Sequence, residues 1–150
     1  MLEKGVIAPE FSLKDDKGEV INLSQFKGKK VVVYFYPKDN TPGCTKEACS
    51  FRDTHDKLLA KGAVVIGISA DSPESHARFK EKYNIPFYLL SDPEKNVIQA
   101  YGAWGSKNLY GKSFLGIIRS TFIIDEQGII IKVFPKVTPR EHAEKVLEAL

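Results

Sequence analysis

Cys44 and Cys49 are the only two thiols in this 150-residue chain. They lie in the stretch Pro37 to Arg52, Pro-Lys-Asp-Asn-Thr-Pro-Gly-Cys-Thr-Lys-Glu-Ala-Cys-Ser-Phe-Arg. A thiol does nucleophilic or redox chemistry as its thiolate. A free cysteine with a pKa near ~8.5 is about 3% ionised at pH 7, and lowering the pKa to ~6 makes it about 90% ionised. The local sequence predicts a place where that happens. Thr41 suits a helix N-cap, its hydroxyl accepting from a first-turn N–H. Pro42 suits the first helical position, where a missing N–H costs nothing. Cys44 then falls at the third helical position, in the positive end of the helix dipole. The bland alternative is a small buried hydrophobe, but the neighbouring Thr-Pro-Gly is a polar, turn-forming pattern and not a core one.

The spacing of the two cysteines adds a constraint. Five helical residues give a rise of ~7.5 Å and a turn of ~140°, so the Cα atoms stand roughly 8.5 Å apart. A disulfide needs them within ~7 Å. The pair cannot bridge while the helix is intact; it is reduced in a folded state and can be oxidised in a locally unwound one. A packed Cys49 with no chemistry is the alternative, since spacing shows capacity and not use.

The elements around this stretch read as follows. Phe11 to Lys14 and Glu19 to Leu23 alternate apolar and polar about the turn Asp15–Gly18, an N-terminal β-hairpin. Ser24 to Gly28 is a short turn, with Ser24 as its cap. Val31 to Tyr36 is a continuously apolar strand, as a central strand buried on both faces would be. The cysteine helix runs from Pro42 to about Ala60, with Phe51, His55, Leu58 and Leu59 as its apolar stripe and Gly62 as its left-handed cap. Ala63 to Ser69 is the next strand, so the middle is a strand–helix–strand crossover into a parallel pair. Ligands in such sheets bind beyond the carboxyl ends of the strands, where Cys44 lies.

Ser72 and Pro73 cap a further helix to Tyr83, on which His76 reads as a surface residue. Phe87 to Leu90 is a short strand, and Asp92-Pro93 opens a helix to about Tyr101. Gly102 to Leu115 has no periodicity and reads as a long loop; its Trp104 either covers the site, serves a partner, or fills the core. Arg119 to Asp125 and Ile129 to Phe134 form a second hairpin about Glu126-Gln127-Gly128. Thr138 to Glu141 is a capping box that starts a closing helix to Leu150, with Val146, Leu147 and Leu150 inward. The whole is an α/β domain, residues 1–150: a central mixed sheet flanked by helices, with an N-terminal hairpin extension.

Composition excludes several classes. The net charge of +3 is mild and the longest basic run is Lys29-Lys30, which argues against nucleic acid. No stretch approaches the roughly 20 apolar residues of a membrane span, and the N-terminus has no signal-peptide pattern; a cytoplasmic protein is expected. Two cysteines make no disulfide scaffold. A zinc site wants four ligands, and His55, His76 and His142 are not spaced to join the cysteines. No cofactor or metal is expected.

Tyr34 to Asp39, Thr41 to Thr45, Glu47-Ala48 and Phe51 to Asp53 together resemble the active-site segment of the peroxiredoxins, the bacterioferritin-comigratory or Q type above all. Pro37, Thr41 and Cys44 match that family's Pro-x-x-x-Thr-x-x-Cys motif residue for residue. The resemblance extends over most of the chain. It implies a thioredoxin-like fold, Cys44 as the peroxidatic cysteine and Cys49 as the resolving cysteine of the same helix. Spacing alone would leave Arg119 a surface residue. The resemblance of Arg-x-Thr-Phe-Ile-Ile-Asp to the family segment whose Arg contacts the peroxidatic cysteine places it in the site. The implied activity is reduction of hydrogen peroxide and organic hydroperoxides, with Thr41, Arg119 and Pro37 supporting Cys44 and with thioredoxin or a glutaredoxin as reductant. A same-chain pair needs no second subunit, so a monomer is expected. Two rivals stand beside this reading. A thioredoxin-like disulfide reductase wants Cys-x-x-Cys, which the chain lacks. A peroxide-sensing binding module has no use for Thr41 and Arg119.

Overall fold

The computed structural model describes residues 1–140 and 142–150. Strands β1 (Ser12–Lys14) and β2 (Val20–Asn22) form the N-terminal hairpin, followed by a 3-10 turn over Leu23–Phe26. The turn is entered from Asn22, whose N–H donates to the Gln25 side chain, and not from Ser24 as expected. Then come β3 (Lys30–Phe35), α1 (Pro42–Ala60), β4 (Ala63–Ser69), α2 (Pro73–Tyr83), β5 (Tyr88–Ser91) and α3 (Asn96–Ala100). Strands β6 (Trp104–Leu109) and β7 (Lys112–Ile117) pair only with each other. The chain closes with β8 (Ser120–Ile124), β9 (Ile130–Phe134) and α4 (His142–Ala149). The main sheet has seven strands in the order β2-β1-β5-β4-β3-β8-β9.

Strand β3 is the hub. It pairs parallel to β4 on one side and antiparallel to β8 on the other. Alternate residues of a strand face opposite sides. Val31, Val33 and Phe35 therefore pack into one core layer with Ile66, Ile68, Phe122 and Tyr101. Val32, Tyr34 and Tyr36 pack into the other, beneath Cys44, Phe51 and Leu58 of α1 and Val146 of α4. Burial on both faces explains the unbroken apolar run of the sequence.

Phe51 fixes where α1 lies. Its ring stacks on Tyr34 (4.8 Å between centroids) and meets Phe87 and His142 edge-on. That contact holds the helix across the sheet, so its first turn ends up beyond the carboxyl end of β3. Leu58 is buried as expected, but Leu59 is half exposed; the buried stripe passes instead through Cys44, Glu47 and Ala48.

Three other expectations change. The stretch Gly102 to Leu115 is not a loop but most of the β6–β7 hairpin, turned at Tyr110 and Gly111, both with positive φ (52° and 77°). Such two-residue turns need left-handed residues, usually Asn-Gly or Asp-Gly, and a tyrosine in that place hides the signal. Trp104 packs partly buried against the core, with Lys95 above its ring. The helix after Asp92-Pro93 starts later, at Asn96, because the Asp92 carboxylate accepts from Ile98 N–H and Lys95 takes a left-handed conformation. His76 is not on the surface; it is fully buried. The closing helix, expected to start at Pro139, is seen from His142, with Pro139 and Arg140 in a turn before it. The other boundaries agree within two residues, including Ser72 as the cap of α2, where its hydroxyl accepts from Ser75 N–H at 3.1 Å. The capping box at Thr138 turns on Glu141, which lies outside the described residues. No helix among the described residues is long and apolar enough to cross a membrane.

Candidate active site

The first turn of α1 begins as the sequence predicts. Thr41 is the N-cap, with extended backbone, and Pro42 is the first helical residue. The cap is nevertheless not made by the Thr41 hydroxyl. That group turns back and donates to the Lys38 carbonyl at 2.9 Å. The first N–H groups of a helix have no partner within it, so the start of α1 faces its surroundings without a side-chain lid.

Cys44 is buried, only 2% exposed, and is a free thiol. Arg119, the residue just before β8, lies against it. Its Nη2 donates to Cys44 Sγ at 3.3 Å and its Nη1 to Glu47 Oε1 at 2.8 Å. One guanidinium thus bridges the thiol and the carboxylate one helical turn further on. Pairing of β3 with β8 sets Phe35 opposite Ser120, which puts Arg119 beside the end of β3. Gly43 admits the guanidinium. A Cβ at that position would stand 3.1 Å from Arg119 Nη2 and 3.5 Å from Pro139 Cγ.

In the sequence Glu47 is only part of the Glu47-Ala48 match and carries no expected role. Its side chain is fully buried, and its second oxygen, Oε2, has no hydrogen-bond partner among the described residues. Burial pushes its carboxyl up to about 7, against the opposing pull of Arg119. Arg119 itself would be lowered by burial, but the charges of Glu47 and Cys44 hold it above its ordinary value. The guanidinium stays charged, aimed at the sulfur by a partner of its own.

Cys49 is half-buried and free, and no disulfide joins it to Cys44. Helix α1 is continuous through both residues. Cys49 lines an open cleft of about 420 Å³ with Lys46, Ser50, Asp53, Pro139 and Arg140. Pro37 is half-buried between β3 and α1. The structure therefore joins Cys44 and Arg119 by a direct bond, adds Glu47, and places Thr41 at the cap, Pro37 on the connection and Cys49 further along the helix.

His142 was also missed. It is buried behind the site, with Nε2 at 2.8 Å from Thr121 Oγ1, and its ring meets Phe51 and Phe134 edge-on. Burial, helped by Lys145 and Arg119, lowers it from 6.5 to about 4. Between those values the unfolded chain binds a proton that the folded protein does not. Stability from this group therefore rises with pH across that window. Denaturant titrations from pH 4 to 6.5 are expected to show a gain of about 3 kcal/mol from it, and a His142→Gln variant should lose that gain. An unchanged slope in the variant would contradict the assignment.

A buried thiol held by an arginine at a helix start, on a mixed sheet flanked by helices, has counterparts among known proteins. The sequence profile described as the AhpC/TSA family matches residues 5–133. The putative peroxiredoxin bcp of Coxiella burnetii is 52% identical over 149 residues, covering 99% of both chains. Peroxiredoxin Bcp of Bacillus subtilis is 50% identical, covering 99% of this chain and 95% of the relative. Among solved structures, the bacterioferritin comigratory protein of Xanthomonas campestris, described for its alkyl peroxide reduction activity, superposes with a TM-score of 0.90 at 36% identity, covering 99% of this chain and 95% of that one. The chain belongs to the AhpC/TSA family and, within it, to the bacterioferritin-comigratory, Q-type peroxiredoxins, which are thiol-dependent peroxidases. The fold is the thioredoxin-like one expected, and the reductase and sensor rivals give way to the peroxidase.

Proposed function

We propose that Cys44 is the peroxidatic cysteine and Cys49 the resolving cysteine of this peroxidase. The observation that carries the assignment is Arg119 Nη2 at 3.3 Å from Cys44 Sγ, with Nη1 anchored on Glu47 at 2.8 Å. The permanently charged guanidinium is placed to pair with the sulfur in its attacking, thiolate form. The thiolate attacks one oxygen of the hydroperoxide, the O–O bond breaks, and the sulfur becomes a sulfenic acid. The leaving hydroxide or alkoxide gains negative charge as the bond breaks and then takes a proton. Arg119 and the uncovered first-turn N–H groups stand where that charge develops. Thr41 Oγ1, whose hydrogen is committed to Lys38, keeps its lone pairs for the peroxide O–H. Pro37 offers no N–H and excludes water.

The first turn of α1 then unwinds, Cys49 sulfur attacks the sulfenic sulfur, and water leaves as the disulfide forms. An external dithiol restores both thiols, and the open cleft at Cys49 gives it an approach. Thioredoxin or a glutaredoxin is the reductant by resemblance. Hydrogen peroxide and organic hydroperoxides are the substrates, and the alkyl peroxide activity named for the Xanthomonas relative supports the second class. We read residues 1–150 as one domain, because both core layers share one sheet, and as a cytoplasmic monomer, because a lone pair of free cysteines suits a reducing compartment and, lying in one chain, needs no second subunit.

The Cys49→Ser variant tests the pairing. It is expected to react with the first equivalent of peroxide at an unchanged rate. It should then form no intramolecular disulfide, lose most dithiol-supported turnover, and accumulate sulfinic acid faster. Full turnover in this variant would show that Cys49 is only a packing residue.

A further inference from the structure

The segment leading into α1 is tied to α2 at two successive residues. Asp39 is buried, and three groups converge on its carboxylate: Tyr36 hydroxyl on Oδ1 at 2.6 Å, Ser75 hydroxyl on Oδ2 at 2.9 Å, and His76 Nδ1 on Oδ2 at 2.7 Å. Its backbone N–H donates to Asp71 Oδ2 at 2.8 Å, and Ser69 hydroxyl donates to the same oxygen. Asn40, next in sequence, takes a left-handed conformation (φ 58°). Its side-chain oxygen accepts from Lys82 Nζ at 3.3 Å and Tyr83 hydroxyl at 3.2 Å, at the far end of α2. Thr41, the cap of α1, follows directly.

Both ring nitrogens of His76 have partners. Nε2 lies 3.0 Å from the Leu90 carbonyl, which only accepts, so Nε2 carries a hydrogen. Nδ1 faces the Asp39 carboxylate at 2.7 Å. The two side chains are 0% and 3% exposed. A filler of the core at position 76 would need neither nitrogen. Pulling Asp39 away would strand a buried histidine, a tyrosine hydroxyl and a carboxylate together, so the cluster opens as a unit.

Five helical residues keep the Cα atoms of Cys44 and Cys49 roughly 8.5 Å apart, so their bridging requires the first turn of α1 to open. We propose that Asp39 and His76 are positioning residues forming a latch, which sets how often that first turn opens and so divides Cys44 between reaction with peroxide and disulfide formation. The second half of this statement rests on the roles proposed above for Cys44 and Cys49; the first half does not.

Amide hydrogen exchange on the fully reduced protein, with no peroxide present, tests the latch by itself. In His76→Gln, amides of residues 45–49, the first whose N–H groups bond within α1, are expected to exchange roughly 10- to 100-fold faster, the range for losing charge-assisted hydrogen bonds. Amides of residues 53–60, on the same helix beyond the opening turn, should keep their rates. Ser75→Ala removes one half-exposed donor and should shift the same amides about 3-fold; it also serves if His76→Gln fails to fold. In peroxide-treated His76→Gln, the disulfide should form faster by the same factor and sulfinic acid should fall. Equal acceleration of both halves of the helix, or none, would overturn the latch. Faster exchange in residues 45–49 with no gain in disulfide rate would keep the latch and remove Cys49 from the resolving role.

Discussion

Cys44→Ser is expected to abolish peroxide turnover, with a loss on the order of 10⁴-fold or more, as when a covalent nucleophile is removed. A serine hydroxyl does not ionise near neutral pH, and the guanidinium beside it cannot make it do so. Its oxygen can still accept from Arg119, so the ion pair with Glu47 and the packing of α1 should survive. The variant is therefore expected to fold with nearly unchanged stability and with no measurable consumption of peroxide in the presence of thioredoxin and its reductase. Near-normal turnover would remove Cys44 from the reaction and leave Cys49 as the remaining thiol.

Arg119→Met should have the second largest effect. Removing one preorganised donor aimed at developing charge costs about 10²- to 10³-fold in rate. The fold should suffer as well, because Glu47 is fully buried and Arg119 is its only hydrogen-bond partner among the described residues. Breaking such a pair from one side costs about 3–5 kcal/mol. With the opposing pull of Arg119 gone, burial drives the Glu47 carboxyl further above its already raised value. The variant should then bind a proton at Glu47 that the unfolded chain releases near 4.5, so its stability should fall as pH rises above that value. Adding Glu47→Gln to Arg119→Met should restore much of the stability and none of the rate. A rate restored along with stability would mean that Arg119 acts only by holding the fold.

Much of this site was legible before the fold was known. Thr41, Pro42 and Cys44 announce a helix start with a thiol in its first turn. The continuous apolar run of β3 announces a central strand whose end delivers that helix. Both follow from local rules that the fold obeys. Arg119 was not legible by such rules, since it lies 75 residues beyond Cys44 and reaches it only through the pairing of β3 with β8; family resemblance alone pointed to it. Glu47 and His76 are polar residues on helices, where polarity ordinarily means solvent. Their burial depends on partners from elsewhere in the chain: Arg119 for one, Asp39 and the Leu90 carbonyl for the other. The β6–β7 hairpin was hidden by glycines that blunt its alternation and by Tyr110 at a left-handed turn position.

The central claim is that one thiol is oxidised by peroxide and the other, on the same helix, resolves it. Intact mass of the fully reduced protein after one equivalent of hydrogen peroxide, with alkylation on quenching, tests it most directly. The expected result is the loss of two hydrogens, no dimer, and both cysteines closed to alkylation, the mark of a Cys44–Cys49 bond within one chain. A gain of one oxygen, with Cys49 still alkylated, would contradict it and leave a peroxidase that works with Cys44 alone.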